Sequence, residues 1–80
     1  MKITFYGRLS DAIGPDVDLP AEWGVSVGDV RRLLAGKHPD AAATLADRRS
    51  VACVGGSVVR DDHVISEGEV VEFLPPVSGG

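Results

Sequence analysis

Ser26-Val27-Gly28-Asp29-Val30-Arg31-Arg32-Leu33-Leu34-Ala35-Gly36-Lys37-His38-Pro39 is the clearest stretch in which apolar residues return at helical spacing. Ser26 stands three residues before Asp29, so the hydroxyl can cap the Asp29 amide while the carboxylate reaches back to the amide of Ser26. Asp29 also suits the positive field at a helix start. Val27, Val30, Leu33 and Leu34 predict one apolar face, with Asp29, Arg31 and Arg32 directed away from it. Gly36 followed by Pro39 marks the end. A single amphipathic helix of this length needs a sheet to cover, and both flanks supply strands.

Toward the N-terminus, Ile3 and Phe5 alternate with Lys2, Thr4 and Tyr6, the period of a half-buried strand. Leu9, Ala12 and Ile13 predict a short helical turn that stops at Gly14-Pro15, and Val17 and Leu19 alternate with Asp16 and Asp18 as a short edge strand before Pro20. Trp23 is placed as a cap on the core near the helix entry. Toward the C-terminus, residues 41–48, centred on Leu45, predict a weaker helical segment. Val51-Ala52-Cys53-Val54, Gly55-Gly56 and Val58-Val59 read as a hairpin with a Gly-Gly turn. Val64-Ile65 forms a short apolar pair, Glu67-Gly68-Glu69 a turn, and residues 70–74 a last strand with Val71 and Phe73 toward the core and Leu74 outward. The order β, β, α, β, β predicts an α+β domain, a mixed sheet with one main helix across one face; it fits a β-grasp, and periodicity alone also allows a different small α+β sandwich.

Eighty residues with a net charge of −4 and 44% hydrophobic content make one small domain. A chain this short buries only about 60% of its unfolded surface, which leaves little room for a walled active-site cavity, so a carrier or binding module is expected before a self-contained enzyme. The acidic balance argues against nucleic acid, since Arg31-Arg32 and Arg48-Arg49 are the basic clusters available. One cysteine, Cys53, excludes an internal disulfide scaffold and points to a reducing cytoplasm. Its place in an apolar run reads as a small buried hydrophobe. With His38 and His63 it lacks the spacing of a zinc site. Residues 50–59 are the longest run without a charge, too short to span a membrane, and the opening residues carry no signal-peptide pattern. Asp61-Asp62 reads as a solvated turn, and Gly55-Gly56-Ser57 lacks the lysine and helix of a phosphate loop.

Pro75 and Pro76 end the last strand, and Val77-Ser78-Gly79-Gly80 has no periodicity. Residues 1–76 are therefore taken as the domain and residues 77–80 as a mobile tail. A carboxylate carried on residues without side chains can thread a narrow channel, be activated as an acyl adenylate and be attacked by a sulfur or nitrogen nucleophile. Gly-Gly alone says little in a chain with ten glycines. Its weight comes from its place after a terminal strand and a Pro-Pro stop.

Glu67-Gly68-Glu69-Val70-Val71-Glu72-Phe73-Leu74-Pro75-Pro76-Val77-Ser78-Gly79-Gly80 resembles the C-terminal signature of the molybdopterin synthase small subunit family, and the likeness extends over the whole element order. The family usually has a second aromatic where Leu74 stands and Asp where Glu67 and Glu69 stand. The resemblance implies a ubiquitin-like β-grasp and a sulfur carrier. A ubiquitin-activator-like adenylyltransferase would use MgATP on Gly80, and a protein persulfide would supply the sulfur of a thiocarboxylate. The tail, Val77, Ser78 and Gly79, would enter the large subunit of the synthase, where Gly80 gives its sulfur to a cyclic pyranopterin monophosphate to build the molybdopterin dithiolene. Phe73, Leu74, Pro75 and Pro76 would form the subunit contact in a heterotetramer. The chain itself would bind no cofactor and not be catalytic alone. Carriage of sulfur for thiamine or an amino-acid pathway, a ubiquitin-like protein modifier, and an inert interaction module are the alternatives.

Overall fold

The computed structural model describes residues 1–20, 23–47 and 49–75. The chain runs β1 (Lys2–Phe5), α1 (Arg8–Ile13), β2 (Asp16–Asp18), α2 (Val27–Lys37), a 3₁₀ turn (Pro39–Ala41), α3 (Ala42–Ala46), β3 (Val51–Val54), β4 (Ser57–Val59) and β5 (Val71–Leu74). Among the described residues one five-stranded sheet forms, in the order β2-β1-β5-β3-β4. Only the central pair is parallel: β1 and β5 align Ile3 with Val71 and Phe5 with Phe73. The remaining pairs are antiparallel, with β2 and β4 at the edges. The expected architecture of a mixed sheet crossed by one main helix is therefore present.

Strand alternation decides what fills the core. Ile3 and Phe5, Ala52 and Val54, and Val71 and Phe73 send their side chains to the same face, where Val27, Val30 and Leu34 of α2 meet them with Leu9, Leu45 and Ile65. The Phe5 and Phe73 rings stack with centroids 6.1 Å apart. Gly55 and Gly56 take φ of +59° and +82° in the β3–β4 turn, the left-handed pair that matches the twist of a two-residue hairpin. Ile65 is fully buried, and Ser26 pairs with Val64 in an isolated antiparallel bridge that ties the loop before β5 to the start of α2.

The capping box at the start of α2 forms as expected: the Asp29 amide donates to Ser26 Oγ, and the Ser26 amide to Asp29 Oδ2, each at 3.1 Å. The helix ends at Lys37, with His38 as its C-cap. Its face is rolled from the expected one. Leu33 is 42% exposed, whereas Arg31, expected to point away, keeps only 11% of its side-chain surface. At about 100° per residue Arg31 lies beside Val27 and Leu34, while Leu33 falls on the far side of Val30. The Arg31 guanidinium lies 5.0 Å from the centre of the Phe73 ring. It donates to the carbonyls of Leu45 and Ser50 and to Asp61 Oδ1, each at 2.8 Å. One side chain thus closes α2, the end of α3 and the start of β3 over the central strand. Asp61, read as a solvated turn, is its ion partner and also accepts the Gly28 amide through its carbonyl.

Three further expectations change. Trp23 is 40% exposed and is no core cap; Val25 packs against the core there. Cys53 is half-buried, because with Ala52 and Val54 turned inward it falls on the opposite face of β3. The last strand begins at Val71, with Val70 exposed.

Substitutions test these contacts. Ser26→Ala should lower stability by about 1 kcal/mol, seen as a fall of about 4–8 °C in the thermal midpoint. The Asp29 carboxyl is held below its ordinary pKa, first by the Ser26 amide, then by the Ser26 hydroxyl and Arg32. Its contribution is therefore complete above the unfolded value of about 3.9 and is lost as pH falls through the lower folded one. Asp29→Asn should accordingly flatten the stability profile below about pH 4. Arg31→Met should cost about 3 kcal/mol, because it leaves two carbonyls and a carboxylate without their donors. Arg31→Lys should recover less than half of that, since an ammonium cannot span the three acceptors as the planar fork does. Urea unfolding midpoints would read both.

Candidate functional site

In a parallel pair both strands end on the same side of the sheet, so the chain leaving β5 emerges beside the chain leaving β1. Continuing the register from Phe5 and Phe73 by two residues sets Gly7 opposite Pro75. The Tyr6 amide donates to the Phe73 carbonyl at 3.2 Å, which extends the ladder past the end of β1. On the other flank Ser50, buried at the start of β3, donates its hydroxyl to the Leu74 carbonyl at 3.0 Å. The last carbonyls of β5 are therefore held from both sides, by a backbone amide and by a hydroxyl.

Gly7 follows with φ +60° and ψ −133°, a conformation that residues with a side chain rarely adopt, and it is the N-cap of α1. A Cβ at this position would stand 2.7 Å from Pro75 Cγ. An open pocket of about 480 Å³ flanks this contact, lined by Gly7, Arg8, Ala43, Thr44, Asp47 and Pro75 among others. Arg49 also lines it and forms a two-pronged pair with Asp47 at 3.0 and 3.2 Å. The Arg49 side chain holds the Asp47 carboxyl below its usual pKa. A groove of about 490 Å³ lies elsewhere, between α2, α3 and the β3–β4 hairpin; Arg31 on its wall has its donors engaged within the domain.

The sheet face turned away from α2 carries Thr4, Cys53, Val58, Glu72 and Leu74, with no element laid across it among the described residues. Glu72 accepts the Tyr6 hydroxyl at 2.5 Å, and that hydrogen bond raises the Tyr6 pKa. Leu74, expected to be exposed, is half-buried on this face. It lies on the central strand opposite Val51, not at a sheet edge.

The expected contact residues therefore divide. Phe73 has no accessible surface and stacks on Phe5, so its side chain belongs to the core and not to a contact surface. Leu74 and Pro75 sit together at the sheet end, each half-buried. Pro76, Val77, Ser78, Gly79 and Gly80, and the expectation of a mobile tail, lie outside the described residues. Sequence reasoning missed Gly7, Ser50 and Arg31. A glycine directly after a strand was the one available signal for the first; the roles of the other two depend on register and helix roll. No group of three metal-ligating side chains occurs among the described residues, nor a helix long and apolar enough to cross a membrane.

Comparison with known proteins agrees with this architecture. The chain is 30% identical over its full 80 residues to the molybdopterin synthase sulfur carrier subunit of Escherichia coli (strain K12), covering 99% of that protein. Its fold superposes on SAMP1 from Haloferax volcanii with a TM-score of 0.80 at 22% identity, covering 99% of this chain and 97% of that one. A putative molybdopterin converting factor, subunit 1, from Pyrococcus furiosus gives 0.72 at 24% identity, with 95% of each chain covered. These neighbours are ubiquitin-like β-grasp domains, as the sheet order and crossing helix already indicate. The match to the ThiS family spans residues 3–80, from the first strand through the Gly-Gly end, and the chain belongs to that family.

Proposed function

We propose that this protein is the sulfur carrier subunit of a molybdopterin synthase, acting in the cytoplasm through the carboxyl group of Gly80. The observation that carries the reading is the likeness, over the whole chain, to the carrier subunit of the bacterial synthase. The structure adds physical support. The domain's interior is filled by its own core, and the segment from Pro75 onward starts at the end of a central strand held on both flanks. Such a module presents a chain end and leaves the reaction pocket to a partner.

In this reading an adenylyltransferase joins the Gly80 carboxylate to AMP, with pyrophosphate leaving from MgATP. The terminal sulfur of a protein persulfide attacks the acyl adenylate and displaces AMP, giving an acyl disulfide. A second thiol then attacks the donor's sulfur, so that the thiocarboxylate leaves and that thiol and the donor are joined in a disulfide. Val77, Ser78 and Gly79 enter the large subunit, where the sulfur passes to the cyclic pyranopterin monophosphate. Leu74, Pro75 and Pro76 lie at the mouth, and two carriers serve a large-subunit dimer. The chain's own contribution is to offer the carboxyl group on a narrow stem.

Intact-mass measurement after incubation with the activating enzyme, MgATP, a persulfide donor and a thiol reductant tests this directly. The expected result is a gain matching one carboxylate oxygen replaced by sulfur, absent when Gly80 is deleted, followed by loss of that gain on adding large subunit and pterin precursor. No gain, with the same enzymes active on a control carrier, would overturn the carrier reading. Sulfur gained but retained in the presence of the large subunit would assign the carrier to another pathway. Covalent adducts with other proteins in a cell extract would favour a ubiquitin-like modifier.

A further inference from the structure

We propose that Gly7 is a positioning residue for sulfur transfer: by lying against Pro75 it sets the direction in which the C-terminal segment leaves the domain. The inference rests on the reading of Gly80 as the reacting group. Two independent constraints meet at Gly7. Its backbone has φ +60°, and the site of its missing Cβ is 2.7 Å from Pro75 Cγ, closer than Cβ atoms stand to other heavy atoms. The turn by itself would explain a glycine; the contact with Pro75 is a separate demand.

Neither side can yield cheaply. Pro75 Cγ belongs to a ring closed on its own backbone nitrogen, so it cannot swing aside as the end of a flexible chain would. The residues before it are fixed by the β1 and β3 ladders, by the Tyr6 amide on the Phe73 carbonyl, and by Ser50 on the Leu74 carbonyl. Gly7 is fixed in turn by the Asp11 amide on its carbonyl and by the Phe5 amide on the Pro15 carbonyl. A side chain at position 7 would therefore be relieved at the joint after Leu74, changing where the chain points. Gly80 is five residues beyond Pro75. A domain that docks as one body while its end enters a channel depends on this angle, because a misaligned approach is charged against every productive encounter.

A double-mutant cycle over Gly7→Ala and Pro75→Ala in the full chain tests the inference, reading kcat and KM for thiocarboxylation alongside the thermal midpoint. Alanine at 75 lacks the Cγ that position 7 would strike. In the wild-type background Gly7→Ala should lower kcat/KM at least tenfold, mainly through KM. In the Pro75→Ala background it should add less than twofold, while its effect on the midpoint, which comes from φ, persists in both. Equal losses of kcat/KM in the two backgrounds, or a loss that disappears once activity is corrected for the folded fraction, would overturn it. Failure of wild-type protein to gain sulfur would remove the carrier reading and this inference with it; a wild type that gains sulfur with a Gly7→Ala variant equal to it removes this inference alone.

Discussion

The structure depends on the parallel pairing of β1 with β5, the first and last strands among the described residues. Parallel strands cannot be joined by a tight turn, and here nearly the whole sequence intervenes between Phe5 and Phe73, which face each other in register and stack. The hairpin on one side and the short β2 on the other extend this pair, and α2 covers it. The first and last described strands form the centre of the sheet. That places the exit of the C-terminal segment in the middle of the sheet, against a strand fixed by burial on both neighbours, and not on a frayed edge.

The two faces of the sheet then do different things. One is sealed by apolar side chains and by Arg31, whose stem and guanidinium cover Phe73 while its donors satisfy carbonyls that would otherwise be left unpaired near the core. A hydrophobic residue at position 31 would cover Phe73 too, but it would not bind the end of α3 and the start of β3 in one geometry. The other face keeps Thr4, Cys53, Glu72 and Leu74 uncovered among the described residues. Cys53 is therefore more accessible than its apolar neighbours in sequence suggest, because on a strand the immediate neighbours belong to the opposite face.

Periodicity made most of this fold legible. Alternation located β1, β3 and β5 within a residue, the Ser26 and Asp29 pair located the start of α2, and the glycine pair located the hairpin. What it left out has a common physical cause. A helical period gives the width of an apolar face but not its roll, so Leu33 and Arg31 exchanged places once Arg31 found four partners, on α3, on β5 and in two connecting segments. Likewise the resemblance of residues 67–80 to a known signature drew attention to the C-terminal residues, yet it could not show that Phe73 is sealed in the core. Nor could it show that Gly7 and Ser50, distant in sequence, hold the last strand, because these relations exist only after β1 and β3 have paired with β5.

The way the strand end is held separates aim from stability. Phe73 belongs to the core, and a change there reaches every element packed on it. One and two residues later the restraints are of another kind: a hydroxyl on the Leu74 carbonyl and a close approach to a residue without a side chain. A neutral hydrogen bond of this sort is worth about 1 kcal/mol, against about 4–12 kcal/mol for a domain of this length. Small changes at Ser50 or Gly7 can therefore turn the exit of the chain while leaving the sheet intact. The direction of the strand end is thus set by contacts separate from the packing of the core that carries it.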